Sequence, residues 1–191
     1  MASRYKLFYE QVVRADLLSK LQYKNVHQIP KVTQITLSAA SRVQLGKHLD
    51  HPVACAFFLE LITGQQATVT RVRTGNARYK AREGMLEGAK VHLHGDQMYN
   101  FMDRLVTQVL PRTTDFAGLS RKSFDGKGNY AMGVRDIHTF LEIEAQHSNM
   151  LHFPLESARG CGVYVQTSAK SDAEAMVLLS ALRFPFAPSR R

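Results

Sequence analysis

Cysteine is scarce in this chain: there are two in 191 residues. Cys55 and Cys161 stand far apart, and neither lies in a Cys-x-x-Cys or Cys-x-x-His cluster, so a zinc-finger framework is not supported. Two thiols without fixed spacing suit a reducing compartment, although the count also admits one disulfide. Long hydrophobic runs are missing as well. The longest, Val53 to Leu59, has seven residues, against the ~20 that a membrane-spanning helix needs. No apolar segment with a small-residue cleavage site follows the start, so classical secretion is not expected. The third shortage is acid: 16 Asp+Glu face 25 Lys+Arg, a formal charge of +9. A pI near 9.8 points to a polyanionic partner, nucleic acid first and an anionic membrane surface second. With 45% hydrophobic and 21% charged residues, whole-chain disorder is excluded and the length suits one domain.

Helical and strand periodicities alternate irregularly along the chain. A first helix is expected from about Arg4 to Gln22, with Phe8, Val12, Ala15 and Leu18 on its apolar stripe and Asp16 paired to Lys20. Its start, with Ser3, Arg4 and Lys6 and no acid before Glu10, also has the basic character of a mitochondrial presequence. Lys31 to Leu37 reads as a strand with Thr33, Ile35 and Leu37 on one face. Asp50 is a candidate N-cap for a core helix carrying Val53, Ala54, Phe57, Phe58, Leu61 and Ile62 and ending at Gly64. Cys55 lies within it and is read as a small core residue. Strands over Ala67–Val72 and Ala89–Leu93 suggest a hairpin with a long tip. In the second of these, Val91 and Leu93 share one face while His92 and His94 share the other. Asp96 is the expected N-cap of a helix with Met98, Phe101, Met102, Leu105 and Val109 as its stripe, closed by Pro111. Short strands are expected at Tyr130–Val134 and Cys161–Thr167. A capping box, Ser171 with Glu174, opens the last helix, which ends before Pro185. The pattern predicts an α+β fold: an antiparallel sheet with helices packed on one face and a long projecting basic hairpin loop. It is read as a single domain over residues 1–191, with an N-terminal portion (residues 1–66) and a C-terminal portion (residues 67–187).

The main chemical signal is that hairpin tip. No Asp or Glu occurs from Leu61 to Arg82, while Arg71, Arg73, Arg78, Lys80 and Arg82 crowd into twelve residues. Gly75 and Asn76 permit a turn, and Tyr79 adds a stacking surface. Cations that neutralise phosphates release counterions, so such a tip suits salt-dependent RNA binding; the alternative is a solvated charge run on an idle loop. A second basic stretch contains Arg112, Arg121, Lys122 and Lys127, with Asp115 and Asp125 among them. Its Gly126-Lys127-Gly128 could bring backbone N–H groups to a phosphate, but it fits neither a P-loop nor a dinucleotide fingerprint. His92 and His94 lack an identifiable third ligand, so no metal is expected and they are read as surface histidines facing RNA or solvent. Asp136, Glu142 and Glu144 have no partnered nucleophile, so no catalytic residues and no cofactor are expected.

At Ser120 to Asp136 the chain reads Ser-Arg-Lys-Ser-Phe-Asp-Gly-Lys-Gly-Asn-Tyr-Ala-Met-Gly-Val-Arg-Asp. This resembles the signature of the large-subunit ribosomal protein L-five family, the universal companion of 5S rRNA. Other segments match that family in order: Ile62-Thr63-Gly64-Gln65, Arg78-Tyr79-Lys80-Ala81-Arg82-Glu83-Gly84, Val91 to Gly95, Pro111-Arg112, Asp115 to Leu119, Thr167 to Asp172, and Phe184-Pro185-Phe186. The resemblance spans about Leu7 to Phe186. It implies a non-enzymatic constituent of the central protuberance of the large subunit. Its open sheet face would bind 5S and large-subunit rRNA, and its hairpin loop (Arg71, Arg73, Asn76, Arg78, Tyr79, Lys80, Arg82) would meet P-site tRNA. Another surface would bridge to the small-subunit head and to neighbouring ribosomal proteins, with no membrane partner. Gln65 and Lys90 stand at positions that the family uses near RNA, and His92, His94, Arg112, Arg121, Lys122 and Lys127 complete the expected RNA-facing set. The chain departs from the family at Ser38-Ala39-Ala40-Ser41, where Asn-Met-Gly is usual, at His92 and His94, where Thr and Arg are usual, and at Leu141, where Pro is usual. These departures favour an organellar ribosome, in the mitochondrial matrix, over a bacterial cytoplasmic one. A free-standing RNA-binding translation regulator on the same scaffold is the second reading, and a basic nucleic-acid enzyme the third.

Overall fold

The computed structural model describes residues 3–40, 50–79, 81–114, 116–146 and 160–188. Ser41, Gly46, Lys80 and Asp115 lie outside the described residues, as do the side chains of Asp50, His51 and Tyr79. Strands β1 (Val32–Ala40), β2 (Thr68–Arg71), β3 (Leu86–Leu93), β4 (Tyr130–Val134) and β5 (Cys161–Thr167) form an antiparallel sheet in the order β2-β3-β1-β5-β4. With the helices below, this is the α+β class that the alternation of periods predicts. Contacts divide the chain into two compact units, 1–35 with 93–132 and 164–191, and 36–92 with 133–163.

The first unit holds helices α1 (Arg4–Phe8), α2 (Arg14–Leu21), α4 (Gly95–Arg104), α5 (Leu110–Arg112) and α7 (Asp172–Ala181), the second α3 (Asp50–Thr63) and α6 (Leu141–Ala145). In the first unit α1 packs on α4, and α2 on α7. The buried stripe of the N-terminal segment is Tyr5, Tyr9, Val13 and Leu17, not Phe8, Val12, Ala15 and Leu18; Val12 is 53% exposed. Two causes moved it. The tyrosines satisfy their hydroxyls internally, Tyr5 donating to the Leu182 carbonyl and Tyr9 to that of Pro30 at 3.0 Å, so they behave as core residues. In addition, Tyr9–Val13 forms a π-helical turn, which underwinds the helix so that a spacing of four stays on one side. Asp16 and Lys20 pair at 2.7 Å as expected. A second π turn, Leu105–Val109, joins α4 to α5, and the expected stripe Met98, Phe101, Met102, Leu105 and Val109 is buried. Asp96 does not cap α4. His94 holds that position, and Asp96 instead accepts from Lys6 Nζ at 2.8 Å. Pro111 falls inside α5, one residue before its end, so the helical run ends just past it rather than at it.

In the second unit α3 packs on α6 and on β2. Ala54, Cys55, Phe58, Leu59 and Ile62 form its buried side, while Val53 turns outward at 48% exposure. Asp50 is the first helical residue rather than the N-cap. Gly64 ends the helix at φ +67°, with its N–H donating to the Glu60 carbonyl at 2.7 Å. The α6 turn has no counterpart among the expected elements; its five residues are too few for a helical period to show. Strand β1 also runs farther than expected, through Ala40. Its buried side is Val32, Ile35, Leu37 and Ala39, and Thr33 faces out, because the alternation slips between Val32 and Ile35. In α7, Ser171 Oγ accepts from Glu174 N–H at 3.4 Å, but the Glu174 carboxylate accepts from Lys170 N–H at 3.1 Å, not from Ser171. The expected reciprocal box is therefore displaced by one residue.

Candidate nucleic-acid interface

In the second unit, the side of β1 opposite Leu37 and Ala39 presents Thr36 and Ser38, and the matching side of β3 presents Lys90 and His92. Thr36, Ser38 and Lys90 line a cavity of about 1130 Å3 whose lining is rich in small residues, Ala40, Gly133 and Gly162 among them. Arg71, Arg73, Lys90 and Arg135 line it against one acid, Glu87. A lining rich in small residues admits close approach of a polymer backbone, and the cations supply the counter-charge for phosphates. His92 adjoins this surface: its Nδ1 lies 3.0 Å from Thr36 Oγ1, and its main-chain carbonyl accepts from Gln65 Nε2 at 3.1 Å. The Gln65 amide thus ties the end of α3 to β3.

The hairpin is antiparallel, with Thr68 opposite Lys90 and Thr70 opposite Gly88, and its register shifts between Thr70 and Arg71. Beyond the shift the chain does not fray. Val72 bonds through its main chain to Met85 and Gly84 of the opposite limb, and Asn76 and Ala81 pair across the tip in both directions. A short 3-10 turn, Ala77–Tyr79, closes it, with Asn76 Oδ1 accepting from Arg78 N–H at 3.0 Å. Arg71 and Arg73 line the cavity, and Arg71 Nη1 donates to the Gly84 carbonyl at 3.1 Å. Arg78 stands farther out and exposed, and Arg82 lies on the returning limb. The described part of the basic run therefore splits, with Arg71 and Arg73 on the sheet side and Arg78 and Arg82 toward the tip. Lys80 falls outside the described residues.

In the first unit, the Gly-rich loop behaves differently from its expectation as a phosphate cradle. Asp172 accepts from Gly126 N–H at 3.1 Å and from Gly128 N–H at 2.9 Å. Asp125 Oδ1 accepts from Lys127 N–H at 2.8 Å and from Asn129 N–H at 3.0 Å, and its Oδ2 from Asn129 Nδ2 at 2.7 Å. The donors that would hold an anion are already holding two carboxylates. Gly128 has φ +83°, and a Cβ there would lie 2.9 Å from the Ala169 carbonyl, so only glycine fits this turn. Led by the Asn129 side chain and joined by the two backbone N–H groups, these bonds lower the Asp125 carboxyl to about 2. Arg121, Lys122 and Lys127 are exposed within this loop segment, and Arg112 is exposed at the end of α5. His94 is exposed, with Nδ1 3.4 Å from the Thr33 carbonyl; a carbonyl only accepts, so this nitrogen carries the proton.

Cys55 and Cys161 are buried and free, and burial pushes both thiols up, to about 11 and about 12. Neither is primed for nucleophilic work. Two exposed groups were not foreseen in the sequence. Arg135 follows the last residue of β4, and Tyr164 is the outward residue between buried Val163 and Val165. Strand alternation over Cys161–Thr167 was the signal for the second.

Compared with models of protein families, residues 87–186 match the C-terminus of the ribosomal L-five-P family. The matched stretch runs from β3 to the bridge between Leu119 and Phe186 and contains the Gly-rich loop, while β1, α3 and the hairpin tip precede it. Proteins of this family are structural, non-enzymatic, rRNA-binding components of the large ribosomal subunit. With 100 of its 191 residues matched, a sheet of the corresponding α+β class and a cation-lined cavity on that sheet, the chain belongs to the ribosomal L-five-P family.

Proposed function

We propose that this chain binds 5S rRNA or another large-subunit rRNA in the central protuberance, through the concave sheet surface that carries Arg71, Arg73, Lys90 and His92. The hairpin tip, with Arg78 and Arg82, reaches toward P-site tRNA, and a further surface bridges to the small-subunit head and to neighbouring ribosomal proteins. The observation that carries the reading is the cavity of about 1130 Å3, with four cations against one acid in a lining rich in small residues. Counter-charge and close approach are what an RNA backbone requires. The ribosome is the site of action, and a mitochondrial matrix ribosome suits the altered contacts at Ser38, His92 and His94.

Crosslinking through a photoreactive group at Lys90 tests the reading in intact ribosomes: an rRNA segment of the large subunit is the expected adduct. Recovery of the protein chiefly off the ribosome, crosslinked to messenger RNA, would instead establish the regulator reading. For the tip, Arg78→Glu combined with Arg82→Glu is expected to leave the protein in large subunits and to weaken tRNA occupancy. Loss from the subunit would make the tip an rRNA anchor.

A further inference from the structure

Tyr164 is the large aromatic side chain standing outward on β5, at 38% exposure, between buried Val163 and Val165. Its surroundings on the strand are flat or polar: Gly162 precedes it and Gln166 follows, both outward like itself. Its hydroxyl donates to Asp125 Oδ2 at 3.4 Å. Asp125 is in turn fixed by Lys127 N–H and by both nitrogens of Asn129, and Asn129 Oδ1 accepts from Thr167 N–H at 3.2 Å on the same strand as the tyrosine. The ring is thus held at both ends, by its backbone in the sheet and by its hydroxyl on a loop that is itself laced back to that sheet. Arg121, Lys122 and Lys127 in the same loop are exposed. A structural tyrosine would be expected to bury its ring. This one stays 38% exposed beside a basic loop, although its hydroxyl is satisfied.

We infer that Tyr164 is a nucleobase platform: an unpaired RNA base stacks on its ring while Lys127 and its basic neighbours hold the adjoining phosphates. This rests on the RNA-binding reading above and adds to it a requirement for single-stranded nucleotides. Stacking is tolerant of base identity, and the phosphate contacts supply the counter-charge. Asp125 remains an anion beside the ring, and the three exposed cations of the same loop, Arg121, Lys122 and Lys127, outnumber it.

The test compares Tyr164→Leu and Tyr164→Phe with the unaltered full chain, titrated against a short fluorescein-labelled oligoadenylate and against an RNA duplex of the same length. Tyr164→Leu is expected to weaken oligoadenylate binding about fivefold or more, with the salt dependence unchanged and duplex binding untouched. Tyr164→Phe keeps the ring and is expected to stay within about twofold of the unaltered chain. Equal oligoadenylate binding by the unaltered chain and Tyr164→Leu would overturn the platform while leaving RNA binding standing. If the unaltered chain bound neither RNA at moderate salt, both readings would fall together. Should Tyr164→Leu not fold, ultraviolet crosslinking of the unaltered chain decides: an adenylate adduct on Tyr164 supports the platform, and adducts confined to other residues overturn it.

Discussion

The hairpin and the Gly-rich loop are both basic, both contain glycine, and both looked like phosphate sites in the sequence. Their main-chain donors have opposite fates. In the loop, Gly126, Lys127, Gly128 and Asn129 all give their N–H groups to Asp125 or Asp172. In the hairpin, N–H groups pair with carbonyls of the facing limb, and no ion pair engages Arg71, Arg73, Arg78 or Arg82 among the described residues. A carboxylate within reach turns a basic, glycine-rich segment from a ligand site into a brace. Charge counts over a window do not separate the two cases, since one of the two deciding acids, Asp172, lies 46 residues from Gly126.

The largest expected effect would break the brace. Gly128→Val places a branched side chain at φ +83° and 2.9 Å from the Ala169 carbonyl, and should cost about 3 kcal/mol or more, read as a shift in the urea midpoint. Asp172→Ala removes the acceptor for two N–H groups and should cost about 2 kcal/mol in the same measurement. In the hairpin the opposite pattern is expected. Arg73→Glu with Lys90→Glu should leave the urea midpoint unchanged and weaken rRNA binding by roughly tenfold or more, with a salt slope shallower by about 1 to 2. The smallest effect is the pH response of Asp125. Its carboxyl is lowered to about 2 in the folded chain, against about 3.9 unfolded. Its contribution is therefore fully present above about pH 4 and is lost as pH falls through about 2. Asp125→Asn should flatten the fall in melting temperature between those values, read by thermal unfolding in acid. If the hairpin double variant unfolded as readily as Gly128→Val, the distinction between brace and interface would collapse.

What could be read from the sequence followed from how local the cause was. Strands β4 and β5 have their expected bounds, and in β3 Val91 and Leu93 are buried while His92 lies on the other side, because alternation needs only neighbours. The core stripe of α4 held for the same reason. The stripe of α1 and α2 failed because the partners that make Tyr5 and Tyr9 core residues, Leu182 and Pro30, are distant in the chain. The Asp96 cap failed similarly, with Lys6 as the remote competitor. At the site, Lys90 and Gln65 were singled out only through the family resemblance, whereas Arg135 joins Arg71 and Arg73 in one cavity through a sheet order that no local window contains.

The bond from Tyr5 to the Leu182 carbonyl bears on the order in which the chain can fold as it is synthesised. The first unit needs residues 1–35, 93–132 and 164–191, so Tyr5 must wait for nearly the whole chain before its acceptor exists. All residues of the second unit are made by residue 163, before α7. Until α7 emerges, Tyr9, Val13 and Leu17 form an amphipathic helix without its full cover, the kind of surface that chaperones protect on nascent chains.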